Sequence, residues 1–391
     1  MHLTTEKQQT LERRKLMKKS LCILCSTATA LSLAACGTAQ VSAGEAAETT
    51  TVSTEELTTV TGKVTEIEGT NITLALGEVS ENSEENTAPE MPSGNAPDDA
   101  TGNDENGMQT PPEMSSRISF TENRETLTVD SSNTAAIRSD RGGGTVNVDG
   151  GTYTSNGYNS PAVYSTAAIT VKNATLTANN SEALVIEGQN SIALENCDVT
   201  GNMSDTKGSC SEENVQNVMI YQSMSDDAEV GTSVFSMKDG TLTSQNGDMF
   251  YITNTHCTMT LSGVTLKNLD SDSAFLRVVG NSASHGWGTA GSNGAQVEFT
   301  ADSQTIDGNI VVDTISTLDF SLTNGSALNG TINIVDNGEG GSAVSDNAVV
   351  TIDSGSTWNL TGNCTITSLT NNGTINFNGY TITHADGTVL K

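Results

Sequence analysis

Residues that could bind a ligand lie in three long loops between predicted strands. The middle loop, residues 281–294, holds Trp287, one of two tryptophans in the chain, and His285, one of four histidines. A tryptophan flanked by glycines can offer its ring face to a sugar. The alternative is that Trp287 folds back and packs against the side of the domain. The pattern predicts either a carbohydrate contact or a structural plug at this loop.

The other two long loops carry acidic side chains that could supply oxygen ligands to Ca²⁺. They occupy residues 223–232 and 336–347. The spacing of their acids matches no defined calcium loop, so solvated surface acids are the alternative. The candidate ligands are Asp226, Asp227, Glu229, Asp336 and Glu339.

Residues suited to catalysis are few. A nucleophilic triad pairs Ser or Cys with His, and residues 117–391 contain three histidines but no nucleophile-elbow motif. A polysaccharide lyase would need a base such as Arg277 beside acids that hold Ca²⁺, and a hydrolase would need paired carboxylates. An ion pair with Asp313 explains Arg277 equally well. We therefore expect a protein without catalytic activity, with a lyase or hydrolase as the alternative.

The first 36 residues are typical of a bacterial export signal. Met17-Lys18-Lys19 forms a charged start, an apolar stretch follows, and Leu33-Ala34-Ala35-Cys36 resembles the lipobox, in which the cysteine is lipidated. Residues 1–16 do not suit such a signal, so Met17 is the more natural start. We predict an exported protein that is anchored in the membrane through Cys36 and exposed at the cell surface. An ordinary signal peptide cut near Ala35 is the alternative.

Acidic residues dominate the rest of the chain. Residues 37–116 contain 16 acids and one base, and residues 117–391 contain 29 acids and 10 bases. A chain of net charge −30 repels nucleic acid and anionic lipid headgroups. Nucleic acid is therefore excluded as a partner, and an anionic ligand would need a cation to bridge it to the protein.

Three segments separate the export signal from the main domain. We predict a polar tether over residues 37–57 and a β-hairpin over residues 58–79, with its turn at Glu68-Gly69-Thr70-Asn71. Residues 80–116 hold five of the six prolines and are crowded with Glu, Asp and Asn. That composition predicts a disordered acidic linker.

Residues 117–391 repeat with a period of about 23 residues, which predicts a solenoid. A pair of apolar residues marks the first strand of each coil, an apolar residue follows five positions later, and a second strand follows further on. The pairs are Val146/Val148, Ile169/Val171, Ile192/Leu194, Phe235/Met237 and Met259/Leu261, followed by Tyr153, Leu176, Val199, Leu242 and Leu266. The tail aligns less regularly, through Val297/Phe299, Leu318/Phe320, Val350/Ile352 and Ile375/Phe377.

Two further columns accompany the repeat. Two positions after each pair stand residues that tolerate a left-handed backbone, which a sharp bend needs. One position after each pair the charges alternate, which predicts a ladder that steadies the register rather than a binding strip. The bend column is Gly150, Asn173, Asn196, Asp239 and Gly263, and the charge column begins Asp149, Lys172, Glu195, Lys238.

These columns predict an all-β, right-handed, single-stranded parallel β-helix of about nine coils over residues 117–391. Cys197 is expected inside a coil, with pairing to Cys210 as the alternative. The three long loops fall at the same corner of their coils, so they should line one edge of the rod. Function in solenoids often lies on such an edge.

The coil pattern and the Asn/Gly bend column resemble the pectate-lyase-like right-handed β-helix superfamily. Together with the lipobox, they make the chain similar to cell-surface β-helix lipoproteins and adhesin-like proteins of anaerobic bacteria. The resemblance implies carbohydrate binding, and some such proteins bind acidic plant polysaccharides with calcium. We expect a monomeric surface protein that binds carbohydrate or another surface. The alternatives are a lyase or hydrolase on the same fold and a structural envelope spacer without a ligand.

Overall fold

The computed structural model describes residues 62–68, 71–81, 118–122, 127–139, 144–205, 213–223, 228–282 and 287–391. In these ranges the regular structure consists of β-strands. None of their segments forms a helix long and apolar enough to cross a membrane. The predicted export signal with Cys36, the tether and residues 82–117 lie outside the described residues.

A three-stranded sheet contains the predicted hairpin. Gly62–Glu68 and Asn71–Glu81 are neighbours in it and are joined through residues 69–70. The third strand, Ile118–Glu122, pairs antiparallel with the second, with Val79 opposite Phe120. Residues 118–122 fall within the range predicted for the β-helix, but in the structure they form the third strand of this sheet. The third strand adds pairing that an isolated hairpin lacks.

The β-helix consists of coils whose strands stack in parallel on the equivalent strands of the next coil. Its first sheet has 13 strands, and nine of them open successive coils in the described part of the chain. These nine are Thr145–Asp149, Ala168–Lys172, Ser191–Gly201, Thr232–Ser244, His256–Ser262, Gln296–Asp302, Thr317–Thr323, Ala348–Ile352 and Ser368–Asn371. The other four are Leu127–Val129, Thr152–Ser155, Thr175–Ala178 and Thr265–Asn268.

The second sheet has 11 strands and runs along another side of the coils. Its strands are Ile137–Arg138, Val163–Ser165, Leu184–Glu187, Gln216–Tyr221, Asp248–Thr253, Leu276–Val278, Ile310–Asp313, Ile332–Val335, Cys364–Ile366, Ile382–His384 and Val389–Leu390. Only the last pair is antiparallel among the described strands of this sheet. A third sheet has four strands, Thr305–Asp307, Ala327–Asn329, Thr357–Asn359 and Thr374–Asn376.

The register predicted for the first five coils is confirmed. Val148 lies beside Val171, which lies beside Leu194. Leu194 lies beside Met237, which lies beside Leu261. The residues five positions later also stack, from Tyr153 through Leu176 and Val199 to Leu242 and Leu266. Side chains therefore repeat at the strand spacing of about 4.8 Å along the rod.

The bend column has the left-handed backbone that its residue types predict. The φ angles are 83° at Gly150, 53° at Asn173, 54° at Asn196, 58° at Asp239 and 64° at Gly263. Asparagine adds a hydrogen bond between coils: Nδ2 of Asn196 donates to Oδ1 of Asn173 at 2.9 Å, and Nδ2 of Asn173 donates to Oδ1 of Asp149 at 2.7 Å. The bend and the stacking of coils are thus set by the same side chains.

The register of the tail differs from the predicted one. The predicted alignment places Val297 beside Met259. In the structure Phe299 lies beside Met259 and Phe320 lies beside Phe299, so the strand is shifted by one inward-facing position. Ile375 lies beside Trp358 in the third sheet, and the last coil opens instead at Ser368–Asn371. The Ile375/Phe377 assignment is therefore wrong. Apolar alternation alone cannot distinguish the strand before the bend from the strand after it.

The interior is filled by the inward residues of all three sheets. Phenylalanine rings form a continuous stack, with centroids 5.3 to 6.5 Å apart. The stack consists of Phe235, Phe250, Phe275, Phe299 and Phe320. Cys197 is buried and carries a free thiol, as expected of an interior residue. Burial raises the pKa of its thiol, which keeps it in the neutral form.

Candidate ligand-binding side of the β-helix

The second and third long loops meet along one edge of the β-helix. A Cβ atom added to Gly341 in the third loop would lie 2.0 Å from the carbonyl oxygen of Gly291 in the second, so the two backbones are in direct contact. Asn254 links the second long loop to Gln222, which lies just before the first long loop. Its backbone N–H donates to Asn293 at 3.0 Å, and its Nδ2 donates to the backbone of Gln222 at 2.7 Å.

The acidic candidates either are exposed without forming a metal-binding group or lie outside the described residues. Glu229, Asp336 and Glu339 are exposed. The described residues contain no group of three or more His, Cys, Asp or Glu side chains that could hold a metal ion. Asp226 and Asp227 lie outside those residues, as does His285, so the calcium site stays a prediction.

Trp287 is buried, with 7% of its surface exposed. Its ring lies 4.7 Å from the ring of Tyr221, centroid to centroid, and the two planes are tilted by 47°. The cluster that receives it also contains Val185, Met219 and Tyr251. Trp287 thus occupies the packing position that the sequence analysis gives as the alternative to an exposed sugar-stacking ring.

This cluster lies on the outer face of the second sheet, which we call the covered face. Strand residues alternate between the two faces of a sheet, and Leu184, Ile186, Val218 and Ile220 occupy the inner face. The residues between them are also buried, because loops cover them. One column of the covered face runs in register from Tyr164 through Val185 and Met219 to Tyr251 and Arg277.

Loops from opposite corners of the coil meet over the covered face. One follows Ser191–Gly201 and returns to the second sheet at Gln216; the other is the second long loop. Glu213 of the first accepts hydrogen bonds from the backbone N–H and the hydroxyl of Ser282 in the second. Burial and then the Glu213 carboxylate raise the pKa of Tyr251. Glu213 is therefore close to the cluster as well as to Ser282.

A polar network borders the apolar cluster. The Glu187 carboxylate is 1% exposed and accepts hydrogen bonds from the hydroxyls of Tyr164 and Ser223. The hydroxyl oxygens of Tyr164 and Tyr221 are 3.2 Å apart. A buried carboxylate is costly unless donors satisfy it, so this network fixes the rings of both tyrosines.

The ion pair of Arg277 is with a different acid from the predicted one. Arg277 lies beside Val311 of the next coil as expected, but its Nε donates to Oδ2 of Asp248 in the preceding coil at 2.5 Å. Asp313 instead accepts hydrogen bonds from the backbone N–H of Gly280 at 2.8 Å and from Nδ2 of Asn337. Both acids are buried, and each has a structural set of donors.

Sequence analysis missed Tyr164, Glu187, Tyr221 and Ser223, although a signal for the covered face was present. Leu184–Glu187, Gln216–Tyr221 and Asp248–Thr253 are buried at every position. In sequence they are nearly continuous runs of apolar residues where a half-exposed strand would alternate. Such runs indicate a sheet that is covered on both faces.

Comparison with protein-family models gives no match. Searches of curated proteins and of solved structures give none either.

Proposed function

We propose that the protein is a lipid-anchored cell-surface protein that binds carbohydrate without catalysing a reaction. The binding side in this proposal is the covered face and the edge of long loops beside it. One observation carries the proposal: the covered face is the place where loops from two corners close over a sheet and gather aromatic and polar side chains. A solenoid that served only as a spacer would need no such elaboration.

The aromatic residues support a carbohydrate ligand in an indirect way. Trp287 is buried, so in this proposal it holds the second long loop in place instead of stacking on the sugar. The exposed backbone of that loop and its neighbours would then contact the glycan. Sugars suit such a surface because their hydroxyls pair with loop amides and carbonyls.

The surface location rests on the sequence. The lipobox Leu33-Ala34-Ala35-Cys36 and the acidic, proline-rich segment after it suit a domain held away from a membrane. The coil pattern and the Asn/Gly bend column support a place among the pectate-lyase-like β-helices, and with the lipobox they support a likeness to adhesin-like surface lipoproteins. Metabolic labelling with a palmitate analogue in a bacterial host should mark the wild-type chain and leave the Cys36→Ser variant unlabelled. An unlabelled wild-type chain would remove the anchor from the proposal.

A glycan array tests the binding itself. The full chain should bind a restricted set of glycans, and Trp287→Ala should weaken that binding because the loop loses its packing. Val230→Ala is the matched control, since Val230 is 81% exposed on a neighbouring loop. Absence of binding across a broad array, or equal binding by the Trp287 variant, would count against the proposal.

A further inference from the structure

Arg138 stands at the N-terminal end of the covered face and has no carboxylate partner among the described residues. Arg138 lies beside Tyr164 in the register of the second sheet. Its guanidinium carbon is 4.8 Å from the centroid of the Tyr164 ring, the geometry of a cation–π contact. Arg138 thus extends by one coil the column that continues through Val185, Met219 and Tyr251 to Arg277.

The two arginines at the ends of this column are in different electrostatic states. Arg277 is paired with the buried Asp248. Arg138 forms no ion pair with any residue that the structure describes, although the chain has 47 acids and 17 bases. Arg138 is half-buried, and no described carboxylate lies within ion-pair distance of it, so its guanidinium is available to an external anion.

The surroundings hold Arg138 ready for such a contact. The hydroxyl of Tyr164 is bonded to Glu187, so the ring under the guanidinium has a fixed position. The hydroxyl of Thr166 donates to the backbone of Ser139 at 2.9 Å, which holds the end of the arginine's strand. Ile137–Arg138 is the terminal strand of the second sheet among the described strands, so no described strand of that sheet lies beyond Arg138. Little rotamer freedom is lost when a preorganised guanidinium binds.

We propose that Arg138 binds a single oxyanion, a carboxylate or a sulfate ester, on an otherwise neutral glycan. This rests on the proposed function and names the charged group of its ligand. A guanidinium matches such groups through two parallel N–H donors. Binding of a polyanion is disfavoured because the net charge of −30 repels it. A single oxyanion beside Arg138 interacts mainly with the charges that lie within the screening length of about 8 Å. The contact needs no bridging cation.

The test compares small probes on the full chain by ligand-observed NMR or calorimetry. Methyl β-glucuronide should bind about 10-fold more tightly than methyl β-glucoside, the range expected of one charge-assisted contact. Glucose 6-sulfate should share that advantage if any monoanionic oxyanion suffices. A gain for the glucuronide alone would show that the ligand group is a carboxylate. Arg138→Gln should abolish the difference, and Arg138→Lys should keep only part of it. Lys267→Gln, which removes an exposed cation of the first sheet, should leave it unchanged.

Two outcomes would overturn the inference. One is equal affinity of the wild-type chain for the glucuronide, the sulfate and the glucoside, including no binding of any. The other is an unchanged preference in Arg138→Gln with an unchanged melting temperature. Neither outcome decides the proposed function, because a neutral oligosaccharide retained on the glycan array would still support carbohydrate binding.

Discussion

Glu213 accepts a hydrogen bond from the backbone N–H of Ser282 at 3.0 Å, although 69 positions separate the two residues. The contact joins loops that leave the β-helix at opposite corners. Beneath it lie Tyr251 and the cluster around Trp287. A contact of this kind is absent from the repeat itself, so it marks where the chain departs from a simple stack of coils.

Packing of Trp287 should contribute to the stability of the folded chain. We expect Trp287→Ala to lower the free energy of unfolding by about 3 kcal/mol, because truncating a buried tryptophan leaves a cavity. Urea unfolding followed by circular dichroism measures this. Val230→Ala, at an exposed valine, should change stability very little. Equal stability of the two variants would mean that Trp287 does not hold the loop.

Two glycines, Gly150 of the bend column and Gly240, which follows Asp239 of that column, allow the cost of backbone strain to be separated from the cost of a steric clash. Gly150 and Gly240 both have positive φ, at 83° and 79°. A Cβ at Gly150 meets nothing within 4 Å, whereas a Cβ at Gly240 would lie 2.1 Å from the carbonyl oxygen of Cys197. Gly150→Ala should therefore cost about 1 kcal/mol of strain, and Gly240→Ala clearly more. Thermal melting of both variants checks this, and a smaller loss in Gly240→Ala would contradict the packing of adjacent coils.

The buried Arg277–Asp248 ion pair should contribute more to the free energy of unfolding than the half-exposed Lys172–Glu195 pair. Asp248 has 3% of its side chain exposed, and Arg277→Gln would leave it with only neutral donors. We expect a loss of about 2 kcal/mol in the free energy of unfolding. Lys172→Gln is the control, because the Lys172–Glu195 pair is half exposed and solvent screens it. Chemical denaturation should show a larger loss of stability for Arg277→Gln than for Lys172→Gln. A larger loss for Lys172→Gln would contradict the role assigned to Asp248.

Asp270 should make the stability depend on acid pH. A hydrogen bond from Ser273, followed by one from the backbone N–H of Gly247, holds the pKa of Asp270 below its ordinary value of 3.8. A carboxyl whose pKa is lowered in the folded state stabilises that state above the unfolded pKa. The contribution is lost as the pH falls through the lowered pKa.

The measurement is the melting temperature of the wild-type chain and of Asp270→Asn between about pH 2 and pH 6, around the unfolded pKa of aspartate. The gap between the two proteins should be largest near pH 6 and should close toward pH 2. The gap relative to Asp270→Asn should be smaller for Ser273→Ala than for the wild-type chain, because Ser273→Ala lacks the hydrogen bond from the Ser273 hydroxyl to Asp270. A gap that is constant with pH would contradict the role assigned to Asp270.

The coils were predictable because one rule generates them. Apolar pairs such as Val171 and Leu194 recur at coil spacing, and residues such as Asn173 repeat the bend, so the register follows from periodicity alone. The covered face was not predictable in the same way. Contacts such as Glu213 with Ser282 depend on how irregular loops fold over the sheet, and no periodicity constrains them. Only the apolar runs at Leu184–Glu187, Gln216–Tyr221 and Asp248–Thr253 indicated that something covers this side.

Hydrogen–deuterium exchange of the full chain, with and without the glycan that binds most strongly on the array, tests most directly whether the covered face is the binding side. Binding should slow exchange in Gln216–Tyr221, in the described parts of the second long loop and at Ile137–Arg138, and should leave Gln296–Asp302 and Thr317–Thr323 of the first sheet unchanged. Protection confined to those first-sheet strands, or to the third sheet, would contradict the central claim that the ligand binds at the covered face.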